Sequence, residues 1–253
     1  MTLQTGGLKR RAERALDRQL DYQRRKAERV KGHEQELIAD MMAHSGEVRR
    51  KLEARAPIPS DARVLEVGCG AHGLIFYFGT ENGVGVDPLA DHYAELFPAW
   101  QSRARTIAAP GEQLPFEDAS FDIVLCDNVV DHAESPRRII EEIARVLRPG
   151  GTLYFEVNVH HPLYHVAASA HAAWRALGIP FEITPFADHT VHLTVEAARR
   201  LFDGLPLRIV TESDNIDEMK RRSHQLPVRH AGDRLKRFFF KNAQYEVIAV
   251  REQ

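Results

Sequence analysis

Short apolar runs alternate with amphipathic segments between residues 63 and 159. Runs of this length, bounded by glycine, proline or charged residues, are typical of buried strands. They predict strands at 63–69, 83–88, 104–110, 121–128 and 152–159, and an amphipathic helix at 135–151 that stops at a Gly-Gly pair. The order β-α-β-α-β-β-α-β with short connections favours a doubly wound, mostly parallel α/β sheet.

The N-terminal part of the chain has a different pattern. Residues 8–55 place sparse apolar positions in a highly charged sequence, which is typical of helix with a narrow packed face. The two prolines of 56–62 predict a linker. We therefore expect a helical N-terminal extension over 1–55 and a main domain over 56–253.

The pattern changes again after residue 159. Residues 160–190 are rich in histidine and small side chains, and we interpret them as a lid or acceptor insert. A helix is expected at 194–203 with Thr194 as its N-cap. Two more strands, at 206–213 and 244–252, flank a basic insert over 214–243 and bring the predicted sheet to seven strands.

Composition places the chain among ordinary globular proteins. It has 253 residues, two cysteines and a net charge of -2, with no 18-residue apolar run and no signal-peptide pattern. A reducing, cytoplasmic setting fits this cysteine usage. Charge is uneven, because residues 1–55 carry 14 Lys and Arg against 9 Asp and Glu. Since the total is near neutral and no nucleic-acid motif is present, nucleic-acid binding is disfavoured.

The stretch VLEVGCGAHG, residues 64–73, carries the candidate chemistry. Gly68, Gly70 and Gly73 have the spacing G-x-G-x-x-G directly after a predicted strand. The first glycine allows a sharp turn, and the second lets backbone approach a ligand without a Cβ. By itself this turn suits either a dinucleotide or an adenosyl-amino-acid ligand. Asp87, at the end of the next strand, can accept two hydrogen bonds from vicinal ribose hydroxyls in both cases.

Three further motifs follow in order, namely GVGVDP (83–88), GEQLPFEDASFDIVLCDNVVDH (111–132) and RVLRPGGTLYFEV (145–157). In combination with the glycine turn, the chain resembles the class I S-adenosylmethionine-dependent methyltransferases over about 65–253. The resemblance implies a Rossmann-like sheet with an antiparallel last strand. It also implies S-adenosylmethionine as the methyl donor, S-adenosylhomocysteine as the product, and a small-molecule acceptor.

The resemblance also implies a set of cofactor-binding residues on these motifs. Pro110 stands where the family pattern has an acid, so the backbone that follows it is expected to contact the adenine instead. The implied set is Glu66, Gly68, Cys69, Gly70, Asp87, Pro88, Gly111, Glu112, Gln113 and Asn128.

The acceptor side is less defined by sequence. A hydroxyl acceptor needs a general base, and His160 and His161, just past the fifth strand, are our candidates. We expect no metal site, because the nearby histidines lack a third ligand at fixed spacing. Three alternatives stay open: an NAD(P) enzyme, a non-catalytic S-adenosylmethionine-binding protein, and the same chemistry on RNA, protein or a lipid-linked substrate. Peripheral membrane contact and a homodimer through the N-terminal helices are further expectations.

Overall fold

A computed structural model describes residues 3–163, 191–225, 227–228, 240 and 243–253, with side chains described from residue 16 onward. Its centre is one seven-stranded sheet in the order β3-β2-β1-β4-β5-β7-β6. The strands are β1 (Arg63–Val67), β2 (Asn82–Val86), β3 (Arg105–Ile107), β4 (Phe121–Asp127), β5 (Leu147–Val159), β6 (Leu207–Asp214) and β7 (Ala243–Arg251).

The strand pairing confirms the predicted fold class. Strands β1 to β5 pair in parallel, while β7 pairs antiparallel with both β5 and β6. The five parallel strands, β1, β2 and β3 on one side of the switch between β1 and β4 and β4 and β5 on the other, have their carboxyl ends at one edge. In open α/β sheets ligands bind at this edge, at the point where strand order reverses.

Helices cover both faces of the sheet. They are α1 (Leu3–Val30), α2 (Glu34–Glu53), α3 (Ala90–Leu96), α4 (Pro98–Gln101), α5 (Pro136–Val146), α6 (Val195–Arg199) and α7 (Ile216–Gln225). The apolar face of α5 packs on one side of the sheet with α6, while α1 and α2 pack on the other with α3. Among the described helices, none is both long and apolar enough to cross a membrane.

The predicted N-terminal helices are confirmed, and they meet where Gly32 adopts a left-handed φ of 84°. Two other local predictions were wrong. The helix expected over 135–151 ends at Val146, and Leu147 already belongs to β5. Between β1 and β2 the chain forms only the 3-10 helix Leu74–Phe76 instead of an α-helix. Four glycines occupy much of that short connection, and α2 covers this face of the sheet in its place.

The other boundaries agree with the structure to within a few residues. Thr194 is the N-cap of α6, since its hydroxyl accepts a hydrogen bond from the N–H of Ala197 at 3.1 Å. The helix then continues as the 3-10 turn Arg200–Phe202. Most of the predicted lid, 164–190, lies outside the described residues, as do positions 226, 229–239 and 241–242 of the basic insert.

Candidate functional site

The glycine turn after β1 lies at the carboxyl edge of the sheet. Its first residues are fixed by the neighbouring strand, because the N–H groups of Gly68 and Cys69 both donate to the carbonyl of Val86. Gly68 and Gly70 have φ of 72° and 52°, in the left-handed region where glycine is favoured. A Cβ on Gly68 would lie 2.3 Å from the Val129 side chain, whereas one on Gly70 would meet, within the described part of the chain, only a carbonyl oxygen at 3.9 Å. The turn is therefore packed at Gly68 and open at Gly70.

Glu66 fixes the far end of this turn. Its Oε1 accepts the N–H of Leu74 at 3.0 Å, and its Oε2 accepts the N–H of Ile75 at 2.9 Å. The side chain is buried, and this burial raises the pKa of the carboxyl to about 8. In this structure Glu66 is thus a scaffold for the turn, and a direct cofactor contact stays a prediction.

Asp87 follows β2 directly and faces the open part of the turn. Its Oδ2 accepts the N–H of Gly70 at 3.0 Å, and its Oδ1 accepts the N–H of Leu89 at 2.8 Å. Burial raises the pKa of this carboxyl. Each oxygen uses one acceptor position, and an ionised carboxylate has about four, so both oxygens can still accept a ribose hydroxyl. The open cradle at Gly70 and this carboxylate therefore fit an adenosyl ligand.

Cys69 and Pro88 complete the first two motifs. Cys69 is buried, and its Sγ would lie 2.7 Å from a Cβ placed on Gly85. Burial raises the pKa of the thiol well above its ordinary value, so Cys69 stays a thiol. Its side chain fills space in the core, and its backbone forms part of the turn. Pro88 is exposed next to Asp87.

The loop after β3 holds three predicted residues. Gly111 is buried, and Gln113 is exposed in a turn closed by its N–H to the carbonyl of Pro110. The Glu112 carboxylate accepts the N–H groups of Glu134 and Ser135, just before α5, at 3.1 and 3.3 Å. Glu112 thus ties the loop to the start of α5, and contact of this loop with adenine stays a prediction.

Asn128 lies where β4 leaves the sheet. It has a left-handed φ of 55°, and its N–H donates to the carbonyl of Glu156 at 2.9 Å. Its side-chain oxygen accepts a hydrogen bond from Asn158 on β5. The predicted role of Asn128 is a backbone contact to the amine end of the cofactor. Asn128 follows β4 at the same edge as the glycine turn, and the contact itself stays a prediction.

The two predicted base candidates lie at the end of β5 in different environments. His160 is buried, and its backbone N–H donates to the backbone carbonyl of Leu193 at 2.8 Å. His161 is half-buried, and its Nδ1 accepts the N–H of Leu163 at 3.1 Å. Burial, and then the charge of Lys220, lower the pKa of His161. Their role as bases stays a prediction.

A row of acidic side chains that the sequence analysis did not single out crosses the sheet near this edge. Asp127 on β4 pairs in register with Glu156 on β5, which pairs with Glu246 on β7. The Tyr154 hydroxyl lies 3.0 Å from both glutamates, and Lys51 on α2 contacts Glu246 at 2.5 Å. Burial, with a further contribution from Asp127, raises the pKa of Glu156 to about 7.

His44 on α2 joins this row from the helical layer. Its Nε2 lies 2.8 Å from Asp127 Oδ2, and this hydrogen bond is the main cause of a raised pKa for His44. The two residues are 83 positions apart, so no local spacing links them in sequence. Among the described residues, no group of three or more His, Cys, Asp or Glu has an arrangement that could hold a metal ion.

Comparison with known proteins agrees with this geometry. Residues 65–155 match the family model described as a methyltransferase domain. The fold also resembles that of geranyl diphosphate C-methyltransferase from Streptomyces coelicolor A3(2), solved with Mg²⁺, geranyl diphosphate and S-adenosylhomocysteine. That likeness has a TM-score of 0.56 at 15% identity and covers 81% of this chain and 77% of that one. Over residues 65–155 the family match supports the predicted resemblance to the class I S-adenosylmethionine-dependent methyltransferases.

Two curated relatives match part of this chain. The human thiol S-methyltransferase TMT1B is 44% identical over 106 residues, which are 39% of this chain and 43% of the relative. The malonyl-[acyl-carrier protein] O-methyltransferase of Enterobacter lignolyticus is 34% identical over 128 residues, 50% of this chain and 49% of the relative. The match thus spans less than half the length of each of these relatives.

Proposed function

We propose that this chain transfers a methyl group from S-adenosylmethionine to a nucleophile on a small molecule. The observation that carries the proposal is the open backbone at Gly70 facing the Asp87 carboxylate, inside a segment that matches the methyltransferase domain family. When bound, S-adenosylmethionine supplies a methyl group already activated by a sulfonium, leaving S-adenosylhomocysteine. The residues of this chain then need to bind the cofactor and the acceptor in line, exclude water from between them, and accept the proton that the acceptor loses.

The cofactor is proposed to lie along the carboxyl ends of β1, β2 and β4. Asp87 accepts the ribose hydroxyls, while the turn at Gly68 and Gly70 passes close to the amino-acid part. Glu66 contributes indirectly, because its carboxyl group accepts the two backbone N–H groups at the end of the turn. Asn128 faces the amino end, and the loop at 111–113 borders the adenine.

The acceptor is proposed to be a small molecule bound over the ends of β4 and β5. Support comes from the relative named as a thiol S-methyltransferase and from the exposed edge beside Asn128. Helix α2 lies over this part of the sheet, so the N-terminal extension forms one wall of the acceptor site. The cytoplasmic location, the homodimer and membrane contact stay predictions.

The test is methyl transfer from S-adenosylmethionine carrying an isotopically labelled methyl group to panels of small thiols, phenols, amines and carboxylic acids. Products are read by mass spectrometry. The proposal expects label in at least one panel, with turnover lost in Asp87→Ala. If no small molecule is labelled but total RNA or protein from a cell extract is, the acceptor is a macromolecule and the proposed small-molecule substrate is wrong. A steep loss of affinity with added salt would accompany an RNA substrate.

A further inference from the structure

A histidine on the N-terminal extension reaches the edge where the acceptor is proposed to bind. His44 Nε2 lies 2.8 Å from Asp127 Oδ2, at the last residue of β4. Among the residues that the structure describes, the second ring nitrogen, Nδ1, has no hydrogen-bond partner. The His44 side chain is 44% exposed and that of Asp127 17% exposed. One nitrogen is therefore anchored to the sheet, and the other is accessible.

The charges around His44 favour uptake of a proton. Asp127 raises the pKa of His44 through its hydrogen bond, Glu156 on β5 and Glu47 on α2 raise it further, and burial opposes them. The nearby cation on α2, Lys51, is held by Glu47 and Glu246. An imidazole whose pKa lies above its ordinary value is a stronger base near neutral pH.

The pair also lies close to the cofactor turn. The charges of both Asp127 and His44 act on the Glu66 carboxyl, which holds the end of that turn. Asn128, a predicted contact for the amino end of the cofactor, follows Asp127 directly. A nucleophile placed between His44 and the turn would thus have a base on one side and the methyl donor on the other.

Resting on the proposed function, we infer that His44 is the general base for a small thiol acceptor, with Asp127 as its positioning residue. The S–H proton moves to Nδ1 of His44, and the electron pair left on the thiol sulfur forms the bond to the methyl carbon. The bond from that carbon to the sulfonium sulfur breaks at the same time, and its electron pair stays on the sulfur of the S-adenosylhomocysteine that leaves. Asp127 keeps the other proton on Nε2 and stabilises the imidazolium that forms. A free thiol has a pKa of about 8.5, within reach of such a base. By contrast, His161 already uses Nδ1 to accept a backbone hydrogen bond.

The test uses the full chain, S-adenosylmethionine carrying a labelled methyl group, and 2-mercaptoethanol as the probe. Single-turnover rates are measured against pH for the wild type, His44→Gln, His44→Ala and Asp127→Asn. His92→Gln is the matched control, because His92 is an exposed histidine on α3. Affinity for S-adenosylhomocysteine is measured for every variant by calorimetry, which reports on the cofactor site independently of turnover.

The expected result is a loss of roughly 100-fold or more in His44→Gln, the usual scale of general-base catalysis. Added imidazole should restore part of the rate of His44→Ala, and Asp127→Asn should move the acidic limb of the rate profile to lower pH. His92→Gln should match the wild type. Equal rates in the wild type and His44→Gln, even if both equal the uncatalysed rate, would overturn the inference. If the wild type fails to bind S-adenosylhomocysteine, it is the proposed function that fails.

Discussion

Replacing Glu66 by glutamine tests how much the hydrogen bonds between Glu66 and the end of the glycine turn contribute to the stability of the fold. Both carboxyl oxygens accept backbone N–H groups, from Leu74 and Ile75, in a buried site. Glutamine keeps one acceptor oxygen but turns an NH₂ donor toward the other N–H. A buried donor without a partner costs about 1–3 kcal/mol. In a chain of this size each 1 kcal/mol shifts Tm by about 2–4 °C. At about pH 5, where the wild-type carboxyl is protonated in the folded chain, Glu66→Gln should therefore melt roughly 4–8 °C lower for a loss of 2 kcal/mol.

The pH dependence of stability tests the same site. Glu66 has a pKa of about 8 in the folded chain against 4.5 for an unperturbed carboxyl, so the folded state binds the extra proton. Its contribution therefore destabilises the fold progressively as pH rises from about 5 to about 8, and Glu66→Gln should lose this component. Urea unfolding at several pH values measures both effects, with the exposed Glu95→Gln on α3 as the control. A Glu66→Gln variant whose stability falls between about pH 5 and about pH 8 as steeply as that of the wild type would refute the reasoning.

Three other substitutions have distinct expected outcomes. Asp87→Ala should weaken S-adenosylhomocysteine binding by about 100-fold or more, since each hydrogen bond to a charged group is worth about 1.5–3 kcal/mol; calorimetry showing unchanged affinity would remove the ribose assignment. Gly70→Ala should lose binding with only about 1 kcal/mol of strain, whereas Gly68→Ala should also destabilise the fold through its clash with Val129; equal melting temperatures for the two would contradict this. Thr194→Ala should cost about 1 kcal/mol by urea unfolding, and no loss would deny the cap.

Much of the fold could be predicted because its signals are local. Buried strands appear as short apolar runs, and each of the seven was placed to within a few residues, except the start of β5. There, LRPGG resembles a helix stop, but Leu147 already pairs with Phe121 on β4, and the register then shifts to Ile123 and Thr152. Pairing between distant strands decided that boundary, and it leaves no local trace.

The candidate site also has one part that the sequence predicts from local signals and one part that it does not. The turn and Asp87 follow strand ends, so sequence spacing was enough to place them side by side. The pair of His44 and Asp127 depends on how α2 lies across the sheet, which sparse apolar positions in a charged helix do not specify. The break at Gly32 was missed because a single glycine within a charged helical pattern is a weak signal.

Calorimetric titration of the purified chain with S-adenosylmethionine and S-adenosylhomocysteine, with NAD as the control ligand, measures which ligand the glycine turn binds. We expect micromolar affinity for both adenosyl ligands, no heat with NAD, and loss of the signal in Asp87→Ala. Binding of NAD, or heat with none of the three ligands, would contradict this expectation, because the turn at Gly68 and Gly70 would then serve another ligand or none.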